Sequence, residues 1–287
     1  MRHYASILIL MGLGSPAIAD NIDVPADHPT IQEAIDAAND FDVIMVAAGT
    51  YAETFINPDG KKVTVQGEMC GGVPATIIDG GGTGTVLYVV NQEDQDTVFR
   101  NLYITNGNGG QGGGMFLWLS TPTVENCHFV NNAATWGAGL YVTGSITSHI
   151  HSCVFQGNQA AEAGGGVFNF GPQLHLHDCT ITGNEGTVFG GGGIYNQQGT
   201  IHLHDGSVCD NTPNQVEPDV YSTSGTVLVG ESCSPRPGDM DGDGDVDLDD
   251  YAALGAKLGI CQGDINGDGV VDGADIGLLL GAWGPCS

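Results

Sequence analysis

Hydrophobic and polar positions recur along the middle of the chain with a period close to 26. The pattern Cys-x-Phe/Ile-x-x-Asn appears as CHFVNN from 127, CVFQGN from 153 and CTITGN from 179, and Asn106, Asn132, Asn158, Asn184 and Asn211 continue the register. Glycine clusters alternate with it, as GGGMF from 112, GAGLY from 137, GGGVF from 164 and GGGIY from 191. β-Branched and aromatic residues at alternate positions, with Gly, Asn or Asp between the runs, predict short strands joined by corners, one coil per repeat, stacked in parallel. From Val124 to Phe129 the inward positions are Val124, Cys127 and Phe129, so alternation slips by one at Asn126. Ser152, Asp178 and Asp205 hold the same place in later repeats, and short polar side chains tolerate the bent backbone of a corner. Upstream, Thr30 and Glu33 form a capping-box pattern ahead of a short helix with Ile31 and Ile35, followed by the strand Val43-Ile44-Met45-Val46. Such a helix can cover the first coil and protect an open sheet edge.

Composition sharpens this picture. Glycine makes up 47 of 287 residues without a Gly-X-Y period, which excludes collagen and suits a turn-rich repeat. The net charge of −28 disfavours nucleic acid and anionic membranes as partners. Residues 1–19 combine Arg2, an apolar run from Ile7 to Leu13 and Ala17-Ile18-Ala19, the pattern of a secretory signal peptide, and no later apolar run is long enough to span a membrane. The expected location is therefore extracellular or at the cell surface. A secreted chain with eight cysteines can carry disulfides, but the sequence does not choose their pairing. Cys127, Cys153 and Cys179 stack inward on successive coils, where three in a column cannot all pair, and are expected to be buried thiols.

The C-terminal region is organised differently. DMDGDGDVDLDD from 239 and DINGDGVVDGAD from 264 place Asp239, Asp241, Asp243, Asp247 and Asp250, then Asp264, Asn266, Asp268, Asp272 and Asp275, on loop offsets 1, 3, 5, 9 and 12. Calcium takes six to eight hard oxygens around a tight bend, and these offsets supply them together with the position 7 carbonyls of Asp245 and Val270. Gly244 and Gly269 stand at position 6, where the chain must turn, and Val246 and Val271 at position 8 suit a short pairing between the loops. Two prolines in SPRPG bar a helix before the first loop, whereas helical spacing follows each loop, through Leu248, Tyr251 and Leu254 and through Ile276, Leu279 and Leu280. So small a module needs its two calcium ions to fold.

This duplicated loop-plus-helix resembles a type I dockerin, which implies a cohesin-like protein partner. Loop positions 10 and 11, which guide cohesin choice in that family, are Leu248-Asp249 and Gly273-Ala274 instead of the usual hydroxyl pair. Cys233 and Cys286 flank the module, and its pseudo-symmetry suggests a clasp between them. The N-terminal segment, IIDGGG from 77 and the FxxN and GGGIY repeats resemble a right-handed parallel β-helix of the pectin-lyase-like superfamily, with repeats similar to those of polymorphic outer-membrane proteins, over residues 22–230. The resulting organisation is a signal peptide at 1–19, a mainly β right-handed parallel β-helix with an N-terminal capping helix at 20–231, a Pro-rich linker at 232–238 and a small α dockerin-like domain with two calcium loops at 239–287.

The resemblance implies polysaccharide association, and the residues constrain the chemistry. Lyase-type elimination is disfavoured because residues 101–230 contain no Lys or Arg. Hydrolysis needs a carboxylate pair, and Asp178 and Asp205 on neighbouring coils are the candidates, in competition with their corner role. In SHIHSC, LHLHDC and IHLHDG the pairs His149/His151, His175/His177 and His202/His204 align on one outer face, with Ile150, Leu176 and Leu203 pointing inward, and neutral imidazoles so stacked offer zinc or copper a nitrogen site. The expected function is polysaccharide binding or degradation, as a glycoside hydrolase or polysaccharide lyase if catalytic. The alternative is a non-catalytic surface or adhesion protein with a calcium-stabilised anchor.

Overall fold

The computed structural model describes residues 19–144, 147–171, 173–217 and 221–230. The segments expected to be a signal peptide (1–19, of which only residue 19 is described), a Pro-rich linker (232–238) and a dockerin-like module with two calcium loops (239–287), with Cys233 and Cys286, lie outside the described residues. The remainder is mainly β, a parallel solenoid of about seven turns.

One turn shows how the sequence makes a coil. Thr123–Glu125 is followed by a corner at Asn126, by His128–Val130, by a second corner at Asn131 and Asn132, and by Ala133–Trp136. A glycine turn through residues 137–139 then leads into Leu140–Thr143, and the next turn begins with Thr147–His151, which pairs in parallel with Thr123–Glu125. The glycines are demanded by space: a Cβ on Gly139 would lie 2.5 Å from the Gly166 carbonyl oxygen and 2.9 Å from the Phe155 ring. Gly137 adds a positive φ of 59°, which L side chains rarely adopt.

Repetition of this path aligns like with like. Ile104, Phe129, Phe155, Ile181 and Val208 form one buried column, and Val124, Ile150, Leu176 and Leu203 another. The Phe129 and Phe155 rings stack with centroids 4.9 Å apart and planes within 5°. Cys127, Cys153 and Cys179 are buried free thiols, as the column predicts; burial raises the Cys153 thiol well above its ordinary range and pushes Cys179 up to about 12. They act as small apolar packing groups. Cys209 is disulfide-bonded, which the repeat pattern did not assign.

The slipped corner is where alternation placed it. Asn126, Ser152, Asp178 and Asp205 have φ of 52°, 50°, 53° and 57°. Three later strands, Gln173–Thr182, Thr200–Cys209 and Tyr221–Gly230, run continuously through this region, so the two faces on either side of the corner join as one 14-stranded sheet.

The asparagine register needs one correction. Asn132, Asn158, Asn184 and Asn211 form a buried ladder, but Asn106 does not belong to it. Thr105 pairs with Val130, which sets Asn106 level with Asn131, and both take the left-handed conformation, with φ of 53° and 55°. That coil is one residue shorter, so Gly107 occupies the ladder position and donates its N–H to Asn132 Oδ1 at 2.9 Å.

The N-terminal helix spans Ile31–Ala37 and buries Ile31, Ala34 and Ile35 against the first coils. Thr30 caps it by accepting from the Glu33 N–H. The Glu53 carboxylate accepts from the N–H groups of Ile31 and Gln32 at 2.8 and 3.1 Å, and Lys61 Nζ donates to the carbonyls of Ile35 and Asp36 at 2.8 and 2.7 Å. Negative charge at the first turn and positive charge at the last complement the helix dipole.

Candidate functional site

Two regions outside the main core gather chemistry that the core does not require. The first is the histidine face. Strand register places His149 beside His175 and His202, and His151 beside His177 and His204, because every intervening residue, Ile150, Leu176 and Leu203, is drawn into the core. The rings stack from turn to turn with centroids 4.3–4.5 Å apart. Diagonal contacts tie the columns together: His149 Nδ1 lies 3.5 Å from His177 Nε2, and His175 Nδ1 lies 3.0 Å from His204 Nε2. Two triads result, His149/His151/His177 and His175/His177/His204, each able to present three nitrogens within 4.8 Å of one another.

Burial and neighbouring rings disfavour the charged form of His149, His175 and His177. Burial, followed by the neighbouring rings of His149, His202, His204 and His177, lowers His175 to about 4. Burial likewise lowers His149 and His177, with His151 the largest charged neighbour of each. Neutral imidazole is the metal-ligating form. The column of His151 continues through Glu125, Arg100 and Gln66, where Arg100 donates to Gln66 Oε1 at 2.8 Å and lies 3.6 Å from the Glu125 carboxylate. His149 and His151 also line a cleft of about 430 Å³ with Gln95, Thr121, Thr123 and Thr147.

Asp178 and Asp205, the carboxylate candidates, are exposed and sit in the left-handed corner conformation shared with Asn126 and Ser152. Their geometry is accounted for by the turn.

The second region was not singled out from the sequence. After each glycine turn the strand carries an outward aromatic ring, and Tyr88, Phe116, Tyr141, Phe168 and Tyr195 stack in order at 5.3, 5.6, 4.9 and 5.2 Å. These rings form an apolar cluster separate from the main core, packed against Ala163 and Trp136. Burial raises the Tyr141 hydroxyl, whose oxygen lies 3.3 Å from Gln111 Nε2. At its N-terminal end the ladder opens into a cavity of about 340 Å³, where Phe55 meets Tyr88 edge-on at 5.9 Å and Asn108, Gln111, Thr83 and Thr85 supply amides and hydroxyls. Phe55 is 55% exposed. The signal was present in the last residues of GGGMF, GAGLY, GGGVF and GGGIY, which repeat an aromatic at a fixed distance from the glycines.

Residues 61–208 match a family described as the right handed beta helix region. No curated protein matches the sequence. Among solved structures, the crystal structure of the pectin methylesterase from Aspergillus niger in deglycosylated form is 14% identical, with a TM-score of 0.46, over 77% of this chain and 88% of that one. The same enzyme in penultimately deglycosylated form is 13% identical, with a TM-score of 0.44, over 86% of this chain and 97% of that one.

Proposed function

Because the chain belongs to the right-handed β-helix family, matched over residues 61–208, and that fold supplies a scaffold without dictating its chemistry, we propose from the site that it binds a neutral polysaccharide at the aromatic cavity. The observation that carries this reading is the lining: the exposed Phe55 ring and the half-buried Tyr88 ring offer apolar surface with Phe116 behind them, and Asn108, Gln111 and Thr85 offer hydrogen-bonding groups beside them. A sugar ring has apolar C–H faces and a hydroxyl rim, and a cavity that sets aromatic rings beside placed polar groups suits it. The lining residues include no carboxylate, imidazole or cation. A cavity so lined has no group to pair with a uronate, and a chain of net charge −28 repels a polyanion. Binding is the chemistry such a lining supports, so of polysaccharide binding and degradation the cavity favours binding.

The test is an affinity comparison of the full chain against a neutral glucan and polygalacturonate. The neutral polymer should bind more tightly, and Phe55→Ala should weaken it about tenfold, or about 1.4 kcal/mol. Preference for the polyuronide, or an unaltered Phe55→Ala affinity, would reject this reading.

We further propose that the secreted chain is held in place by residues 239–287, which bind two calcium ions and dock to a cohesin-like partner. Support comes from the repeated oxygen offsets beginning at Asp239 and Asp264. Calorimetry should register two calcium ions per chain, and paired Asp239→Ala and Asp264→Ala substitutions should abolish that uptake. A wild-type chain that takes up no calcium would end the proposal.

A further inference from the structure

We propose that the histidine face holds one borderline transition-metal ion per chain, Zn²⁺ or Cu²⁺, shared between two overlapping imidazole triads that meet at His177. Three features of the face carry this. The first is distance: a tetrahedral ion with Zn–N bonds of about 2.0–2.1 Å separates its ligand nitrogens by about 3.3 Å. The diagonal nitrogen pairs already stand at 3.5 and 3.0 Å.

The second feature is preorganisation. The ligands come from three adjacent, register-locked strands, with each intervening side chain buried, so little backbone freedom is left to lose on binding. The third is the donor set, which is nitrogen only. Imidazole suits zinc and copper, whereas calcium and magnesium require oxygen. Three protein ligands leave a fourth position open, and two members of the first triad, His149 and His151, line the cleft of about 430 Å³. A small anion or water of that cleft can complete the coordination.

The shared residue sets the stoichiometry. A neutral imidazole has one lone pair to give, so His177 serves the His149/His151 side or the His175/His204 side, but not both together. The ion therefore has two alternative seats and a single occupancy. This inference is independent of the glycan reading, since none of the six histidines lines the aromatic cavity.

The experiment uses the untagged full chain in excess calcium, which occupies the acidic loops. Zinc affinity is measured by competition with a chromogenic chelator, and copper is examined by electron paramagnetic resonance for nitrogen hyperfine structure. One zinc per chain and a copper spectrum with imidazole nitrogens are expected. His177→Ala removes both triads and should weaken zinc binding on the order of a hundredfold, because a ligand is lost from each seat. His149→Ala or His204→Ala alone leaves one triad intact and should cost only about twofold, the statistical factor for losing one of two seats. The two combined should match His177→Ala, and that pair decides the matter if His177→Ala does not fold by circular dichroism. The proposal is overturned by no zinc uptake in excess calcium, by a copper spectrum without nitrogen couplings, by two zinc ions per chain, by wild-type affinity in His177→Ala, or by loss of binding in either single variant.

Discussion

The asparagine ladder and the histidine columns are built by the same device and do opposite things. Both arise because a residue type recurs once per turn and the register places each copy over the last. Inside, Asn158 Nδ2 donates to the Phe129 carbonyl at 2.8 Å and to Asn184 Oδ1 at 2.9 Å, while its own Oδ1 accepts from the Asn132 backbone N–H and Nδ2, each at 3.0 Å. The amide is consumed in satisfying the corner backbone. Outside, the imidazole nitrogens face one another across the diagonals, His149 with His177 and His175 with His204. Stacking is therefore a property of the coil, whereas burial decides whether the stacked group becomes structure or a site. A polar group inside must be matched completely, because an unmatched one costs its desolvation energy.

The largest effect should come from breaking the inner ladder. Asn158→Ala leaves the Asn132 N–H without its acceptor and takes one donor from the Phe129 carbonyl, and at about 1–3 kcal/mol for the unmatched N–H plus about 1 kcal/mol for the lost donor the loss should be about 2–4 kcal/mol. The denaturant midpoint reports it directly, and a midpoint within error of wild type would dissolve the distinction between the two ladders.

Acid should separate the ladders next. In the metal-free protein His175 is lowered to about 4, first by burial and then by His149, and His149 and His177 move in the same direction. The folded state thus binds fewer protons than an unfolded chain whose imidazoles titrate near 6.5. The neutral rings' contribution is complete above about pH 6.5 and is lost as pH falls toward 4. Urea unfolding across this interval should show the decline, and replacing His149, His175 and His177 by Gln should flatten it. An unchanged slope would mean that neither burial nor the neighbouring rings disfavour protonation of these three imidazoles in the folded chain.

The smallest effect should be on stability at neutral pH. His151→Ala, partly exposed on the outer face, should shift stability by no more than about 0.5 kcal/mol, as surface substitutions do. Thermal unfolding checks this, and a shift as large as that of Asn158→Ala would make the histidine face structural.

Much of the coil was legible in the sequence. The inward placement of Val124, Cys127 and Phe129, the slip at Asn126 and the stacking of six histidines all follow from alternation and a period near 26. Asn106 was misplaced because a register carried backward from later repeats cannot see a coil shortened by one residue. The aromatic cavity was missed because Phe55 and Tyr88 lie 33 positions apart and outside the regular repeats. Neither neighbour signals the other along the chain.

What the sequence by itself determined is periodic: which residues face inward, which stack, and where the backbone must bend. These depend on alternation and on local conformational preference, both properties of short stretches. Only the tertiary structure decided the diagonals, in which His149 reaches His177 and His175 reaches His204, and the entry of Phe55 at the end of the aromatic ladder. A strand's side chains alternate with a period of two whatever their neighbours, but a ring's rotation and a loop's approach are set by the packing of several turns at once.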